Sequence, residues 1–200
     1  MLAKGLEKDP EKAIEVLNDI QSTSERIMSG SLSIINWMKY NNKRATVNKK
    51  LINLYSLINE VCEIFVPIAR GKNIIITNNV NRSKFIEIDS NIFNTIINNL
   101  ISNAIKYSNT GEISIYLGET DSETKTILKI KDTGNGMSED TLHAMNEIIK
   151  GNIHAITTTH KLSTGLGYIM IAELIRIHGL SLSVESHVNV GTTVSIVIDN

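Results

Sequence analysis

The chain has one cysteine, two prolines and one tryptophan in 200 residues, and its acidic and basic residues nearly cancel, 21 against 20. Each scarcity excludes something. A lone Cys62 cannot make an intrachain disulfide, and its place in an apolar helical pattern reads as a buried thiol in a reducing compartment. A formal charge of -1 offers no field to attract nucleic acid or an anionic membrane surface. No apolar run approaches the ~18 residues of a membrane span, and no signal-peptide pattern opens the chain. The sequence is therefore expected to be that of a soluble chain, one ordinary domain with an appendage.

What the chain does have is concentrated first in Asn91 to Thr110. This stretch reads as one helix with two faces. Phe93, Ile97, Leu100, Ala104 and Ile105 recur at helical spacing and make a broad apolar side. Asn99, Asn103 and Lys106 stand at i, i+4 and i+7, a narrow stripe about 60° wide or less. Two carboxamides and an ammonium in line are either a solvated face in an Asn-rich chain or a polar site.

Three further motifs follow. Asp132-Thr133-Gly134-Asn135-Gly136-Met137 closes a strand whose apolar face carries Leu128 and Ile130. Asp132 continues that face, and a carboxylate there is costly unless a donor satisfies it. It either caps the Gly-Asn-Gly turn through backbone N–H groups or meets a ligand donor. Gly134 and Gly136 allow a sharp turn and a close approach. Ser163-Thr164-Gly165-Leu166-Gly167 opens a helix that stops near Gly179, and free N–H groups at such a start suit phosphate oxygens. Gly191-Thr192-Thr193 opens the last strand.

In this order and at these separations, the four stretches resemble the N, G1, G2 and G3 boxes of the catalytic domain of sensor histidine kinases of two-component systems. That domain belongs to the GHKL-type ATP-binding superfamily shared with gyrase B, Hsp90 and MutL. The resemblance covers about residues 47 to 199, with a weaker extension back to about Asp9. It implies ATP and Mg²⁺ as cofactors. Asn103 would be the Mg²⁺ ligand with Asn99 assisting, since Mg²⁺ keeps several waters and needs only one or two protein oxygens. Lys106 would reach a phosphate as a point charge. Tyr107 would pack near adenine, against the plain alternative of edge-of-core packing. Asp132 would accept from the adenine exocyclic amine, with Gly134, Gly136 and Met137 around the base. Gly165, Leu166 and Gly167 would lie along the phosphates. Thr192 and Thr193 would bond near the base, or simply begin a β-branched strand.

Fold follows from periodicity. Asp9-Pro10 reads as an N-cap with proline at the first helical position, starting a helix to about Asn42. Its stripe of Ala13, Leu17, Ile20, Ser24, Ile27, Ser31, Ile34 and Met38, widened by Val16, Met28, Leu32, Ile35 and Trp37, needs a partner surface. Asn41 to Lys50 is a polar linker. Leu51 to Leu57 is expected as a strand and Ile58 to Arg70 as a helix. Short strands are expected at 73–78 and 85–88, with Asp89 or Ser90 capping the Asn-bearing helix. Alternation at Ile113, Ile115 and Leu117, at Leu128 and Ile130, at Leu182 and Val184, and at Val194, Ile196 and Ile198 predicts strands covered on one face. Between the glycine boxes, Leu142, Met145 and Ile149 mark a helix, and 152–161 suits a mobile lid. The fold class is α/β: a two-layer sandwich with a mixed sheet and helices on one face, preceded by a long bundle-forming helix. By resemblance this is the Bergerat fold. Domains are expected at 1–45 (part of the dimerisation and phosphotransfer hairpin, its second helix) and 46–200 (the ATP-binding catalytic domain).

Function is weighed between classes. The ATPases of the superfamily place a glutamate where this chain has Asn99, and an amide cannot take a proton from water. That favours a protein-histidine kinase over an ATPase. A non-catalytic ATP-sensing or dimerisation module is the other alternative. None of His143, His154, His160, His178 or His187 has the neighbours of the family's phosphoacceptor, so no catalytic histidine is assigned in this chain. The chain is read as cut just inside the first hairpin helix. The interval between the glycine boxes also lacks the phenylalanine motif of many members, and His154 and His160 read as solvated loop residues rather than metal ligands. The resemblance implies a homodimer through the N-terminal helix, a response regulator as partner, no nucleic acid, and a cytoplasmic location, with a membrane reached only through another part of the parent.

Overall fold

The computed structural model describes residues 14, 16, 17, 20, 48–122, 124–152 and 166–199. The expected long helix falls mostly outside these. Its four described residues, Ile14, Val16, Leu17 and Ile20, are helical, and Ile14, Leu17 and Ile20 are exposed. The chain divides into two units, 1–45 with 163–167, and 46–162 with 168–200. The second unit holds everything that follows.

It begins with β1 (Lys50–Asn53), which runs straight into α1 (Leu54–Gly71). A strand to Leu57 was expected, and the helix instead starts at Leu54. The reason is Asn53: extended at the N-cap, its Oδ1 accepts the Ser56 N–H at 2.9 Å and satisfies an otherwise orphaned donor. Leu54, Leu57, Ile58, Val61 and Cys62 then fall on the buried side. β2 (Ile74–Asn78) and β3 (Phe85–Ile88) follow, and β3 pairs with β1 as a separate two-stranded antiparallel sheet.

Asp89 caps α2 (Ser90–Tyr107), accepting the Asn91 N–H at 3.1 Å. The helix ends at Tyr107 rather than at Thr110, because Ser108 is already extended. Its terminal carbonyls are met by a side chain from elsewhere: Lys72 Nζ donates to Ile105 O at 2.8 Å and to Ser108 O at 3.3 Å. A cation there also suits the negative end of the helix dipole. The expected apolar face is buried throughout, and Ile92, Ile96 and Ile101 join it.

The main sheet has five strands in the order β2-β4-β5-β7-β6, with β4 at Gly111–Gly118, β5 at Lys125–Asp132, β6 at Ser181–His187 and β7 at Gly191–Asp199. β2 runs parallel to β4, and the other pairs are antiparallel, so the sheet is mixed as expected. Alternate residues Ile113 and Ile115, Leu128 and Ile130, and Val194, Ile196 and Ile198 are buried with the apolar sides of the helices. Each such side chain contributes about 1.5–3 kcal/mol by leaving water. This is a two-layer α/β sandwich.

Two helices complete it, α3 (Glu139–Ile149) and α4 (Leu166–Ile177). α3 buries Ala144, Met145 and Ile148, not the expected Leu142 and Ile149, which are only half-buried. The helix is turned from its expected phase because Ile148, rather than Ile149, lies on the side of Met145 and Ala144 that meets the core. α4 ends just before Gly179, whose φ of +64° gives the turn expected there.

Candidate functional site

Topology brings three chain segments to one place. The end of β5 lies between β4 and β7, with Asp132 opposite Ile113 and Lys131 opposite Thr193. The C-terminal half of α2 packs on this sheet face. Between them opens a cavity of about 200 Å³.

Its wall is part apolar, from Leu100, Ala104, Ile130, Met145 and Val194, and part polar, from Asn103, Asp132, Ser138, Thr141, Tyr168 and Thr192. Tyr107, Gly136 and Met137 complete it. Six of the residues singled out in the sequence therefore meet at one cavity: Asn103, Tyr107, Asp132, Gly136, Met137 and Thr192. They come from positions up to ninety residues apart.

Asp132 holds both roles open to it in the sequence. Its Oδ1 accepts the Gly134 N–H at 2.8 Å, which caps the turn, and the Thr192 N–H at 3.2 Å, which ties β5 to β7. The residue is buried and lines the cavity, and Oδ2 has no hydrogen-bond partner among the described residues. Burial pushes the carboxyl above its ordinary value, while the two backbone donors pull it partly back. An acceptor is thus held in an apolar-walled cleft by bonds to its other oxygen.

The glycines next to it serve the chain itself. A Cβ on Gly134 would stand 2.6 Å from Tyr107 O and from Ser108 Oγ. At Gly136, φ is +64° and a Cβ would collide with the His187 carbonyl. The expectation that these glycines clear room for a ligand is corrected to that extent: what they clear room for is α2 and the β6–β7 turn. Asn135 seals the same junction, donating from N–H to Tyr107 O at 3.0 Å and accepting from the Asn189 N–H at 2.8 Å.

Asn103 sits half-buried on the cavity wall, and its Nδ2 is buried without a hydrogen-bond partner. An unmet buried amide is costly, and a bound ligand or a small shift of a neighbour would relieve it. Asn99, one turn back, is not in the wall; its Nδ2 donates to Thr95 O at 2.8 Å, leaving Oδ1 as the spare acceptor. Lys106 is exposed and also outside the wall, with Nζ 5.2 Å from the Tyr107 ring centroid. Thr192 acts through its backbone, and its hydroxyl pairs with Ser186 Oγ at 2.9 Å. Thr193 lies in register with Glu185 and Lys131, away from the cavity. Gly167 is the second residue of α4, while Gly165 and the Leu166 side chain lie outside the described residues, as do His154 and His160.

Sequence reading did not single out Ser138, Thr141 or Tyr168 for the site. Ser138 caps α3, accepting from the Thr141 N–H at 3.4 Å, so both fall at the cavity through the start of that helix. A serine two residues past the second glycine is a signal of this kind. Tyr168 is the larger omission. It is buried, follows Gly167 directly, and its hydroxyl is held well above its ordinary range by burial first and by the nearby Tyr107 and Asp132 next.

Among the described residues no three His, Cys, Asp or Glu side chains cluster to hold a metal ion, and no helix is long and apolar enough to cross a membrane. A cation at this cavity would have to rest on amide oxygen and on ligand atoms. Asn103 fits that demand, as a neutral oxygen donor beside an unsatisfied N–H.

Comparison with known proteins follows the same residues. Residues 88–200 match the family described as histidine kinase-, DNA gyrase B-, and HSP90-like ATPase. Across 97% of its length the chain is 30% identical to sensor histidine kinase YvrG of Bacillus subtilis (strain 168), covering 33% of that protein. It is 26% identical to sensor protein EvgS of Escherichia coli (strain K12), covering 16% of it. The chain thus spans a third or less of these relatives. Among solved structures, full-length ShkA in complex with AMPPNP superposes with a TM-score of 0.70 at 18% identity, over 92% of this chain and 38% of that one. Histidine kinase ThkA in complex with response regulator TrrA gives 0.69 at 20% identity, over 96% and 52%. At such identities these two speak for the fold alone. With the family match running from the strand before α2 to the last strand, and so spanning every element of the cavity, the chain belongs to the histidine kinase-, DNA gyrase B-, and HSP90-like ATPase family.

Proposed function

We propose that this chain is the ATP-binding catalytic portion of a two-component sensor histidine kinase, with residues 1–45 as part of its dimerisation hairpin and 46–200 as its catalytic domain. The observation that carries it is the meeting of Asn103 and Asp132 at one apolar-walled cavity, an amide from α2 facing a carboxylate at the end of β5. ATP bound with Mg²⁺ supplies the γ-phosphoryl group. Asp132 accepts from the adenine exocyclic amine while its other oxygen stays on Gly134 and Thr192. Tyr107 and Met137 border the base. Asn103, with Asn99 behind it, offers amide oxygen to Mg²⁺, and Lys106, Gly165, Leu166 and Gly167 lie toward the phosphates. Phosphoryl transfer asks the protein mainly for positioning and charge neutralisation, which amides, one lysine and backbone N–H groups can provide. The amide at Asn99 speaks for a kinase over a hydrolase, because it cannot serve as base to water.

The acceptor is a histidine supplied from outside these residues, with onward relay to a response-regulator aspartate. His178 is no candidate: it is buried, with both ring nitrogens away from any partner. The relatives named as sensor proteins, and ThkA solved with a response regulator, support this reading. Homodimerisation through the N-terminal helix and a cytoplasmic location belong to the same proposal. The exposed Ile14, Leu17 and Ile20 support the first.

Calorimetry of ATP and ADP binding, with and without Mg²⁺, tests the site. Binding is expected to strengthen with Mg²⁺ in the wild type and to lose that dependence in Asn103→Ala. Absence of nucleotide binding to the wild-type chain refutes the proposal. Radiolabelled ATP should leave this chain unlabelled and label a chain extended by the hairpin's first helix.

A further inference from the structure

Tyr168 stands where the two polar ends of the cavity converge. It is 8% exposed, it lines the cavity with Asn103 and Asp132, and it begins the described part of α4 within the catalytic unit. A phenol so buried needs a polar neighbour, since an unbonded hydroxyl in an apolar setting is costly. Asn103 is that neighbour. Its side chain is the one group that favours the ionised phenol, as an N–H donor directed at Oη does. Yet Nδ2 stops short of a hydrogen bond of ordinary geometry and is left buried without a partner.

An amide has one donor end and one acceptor end, set on opposite sides of the same carbon. If Nδ2 turns to Oη, Oδ1 is turned away from Tyr168 and toward the open cavity. If the amide is free to flip, either end can face the ligand, and half of its orientations offer N–H to a cation.

We propose that Tyr168 is a positioning residue for Asn103: its hydroxyl oxygen accepts the Asn103 Nδ2–H and so keeps Oδ1 presented to the divalent cation of a bound nucleotide. The role rests on the nucleotide–Mg²⁺ reading of the cavity above. Tyr168 touches neither cation nor phosphate in this role; it acts on which end of the amide they meet. The apo structure has the pair nearly closed, and cation binding completes it by pulling Oδ1 outward.

The test is Tyr168→Phe, which removes Oη and leaves the ring in the wall. Nucleotide affinity is measured by calorimetry with ADP, with and without Mg²⁺, alongside the Asn103 side-chain amide resonances in NMR. The strengthening by Mg²⁺ should fall about 3- to 10-fold, the scale of one lost hydrogen bond to a neutral donor. Affinity without Mg²⁺ should stay within about twofold, because the wall is intact. In the wild type the Asn103 amide signals should shift and sharpen on adding Mg²⁺ with ADP, and in Tyr168→Phe they should not. Equal loss with and without Mg²⁺, or an unchanged Mg²⁺ effect, overturns the inference. If the Phe variant fails to fold, Tyr168→Leu with melting of the apo protein as control takes its place, read by the same ratio. A wild-type chain that binds no nucleotide defeats the reading of the site itself, whereas wild-type binding with an unaltered Tyr168→Phe ratio defeats this inference alone.

Discussion

Replacing Asp132 by asparagine separates what the residue does for the fold from what it does for a ligand. The Oδ1 bonds to Gly134 N and Thr192 N, at 2.8 and 3.2 Å, need only an acceptor, and an asparagine oxygen supplies one. The second position changes from a carboxylate oxygen to an NH₂ group. A base presenting an exocyclic amine would then meet a donor where it met an acceptor. Losing that bond and leaving two donors opposed costs about 1–3 kcal/mol, which is roughly 5- to 150-fold in Kd. Fold stability should move the other way. The Asp132 carboxyl is raised above its ordinary 3.8 because burial penalises the charge. A raised folded pKa means that stability from this group is present below the unfolded value and lost as pH rises through the folded one. At neutral pH the charged form therefore weakens the fold, and asparagine removes that penalty. Expected together are an apo melting temperature equal to or above wild type and a much weaker affinity for ATP. Preference for adenine over hypoxanthine nucleotides should fall as well. Calorimetry with ATP and ITP, and thermal melts at neutral and mildly acid pH, read all three. Unchanged affinity and base preference in a folded variant would refute the assignment of Asp132 to the base.

Gly136→Ala should destabilise by about 1–3 kcal/mol, since φ of +64° disfavours a side chain and the new Cβ runs into the His187 carbonyl; urea melts measure it, and a loss under 0.5 kcal/mol would show that the β6–β7 turn yields. Lys72→Met removes the ammonium from the Ile105 and Ser108 carbonyls and should cost about 1–2 kcal/mol, with most of the loss in exchange protection at the end of α2 by hydrogen exchange. His178 is pushed below its ordinary 6.5, chiefly by burial, with Asp89 opposing and Lys49 reinforcing. A depressed folded pKa gives stability that is present above the unfolded value and lost as pH falls through the folded one. His178→Leu should thus flatten the decline in melting temperature below about pH 6.5, and an unchanged acid limb would count against a neutral buried imidazole.

Local pattern carried a great deal of this molecule. The two faces of α2, the capping aspartate before it, and the buried phase of Asp132 on β5 all follow from residues within four positions of one another. Such neighbours interact whether or not the rest of the chain is in place, so their periodicity survives in the sequence. Where a local signal was misread, a local signal also corrects it: Asn53 starts α1 four residues before Ile58, by bonding the Ser56 N–H.

Distance along the chain marks the boundary of what could be read this way. That Asp132 would spend one oxygen on Thr192, sixty residues on, depends on β7 pairing with β5 rather than on any motif. That Gly136 yields to His187, that Lys72 finishes α2, and that Tyr168 closes the wall beside Asn103 depend on the same docking of distant elements. Side-chain alternation says which face of a strand is covered but not which strand lies beside it, because every covered strand shows the same two-residue period. Neighbours are chosen when the sheet order β2-β4-β5-β7-β6 buries all the apolar faces at once. Residue types and their faces were therefore written in the sequence, whereas the contacts that turn them into a cavity were decided only by the packed sheet.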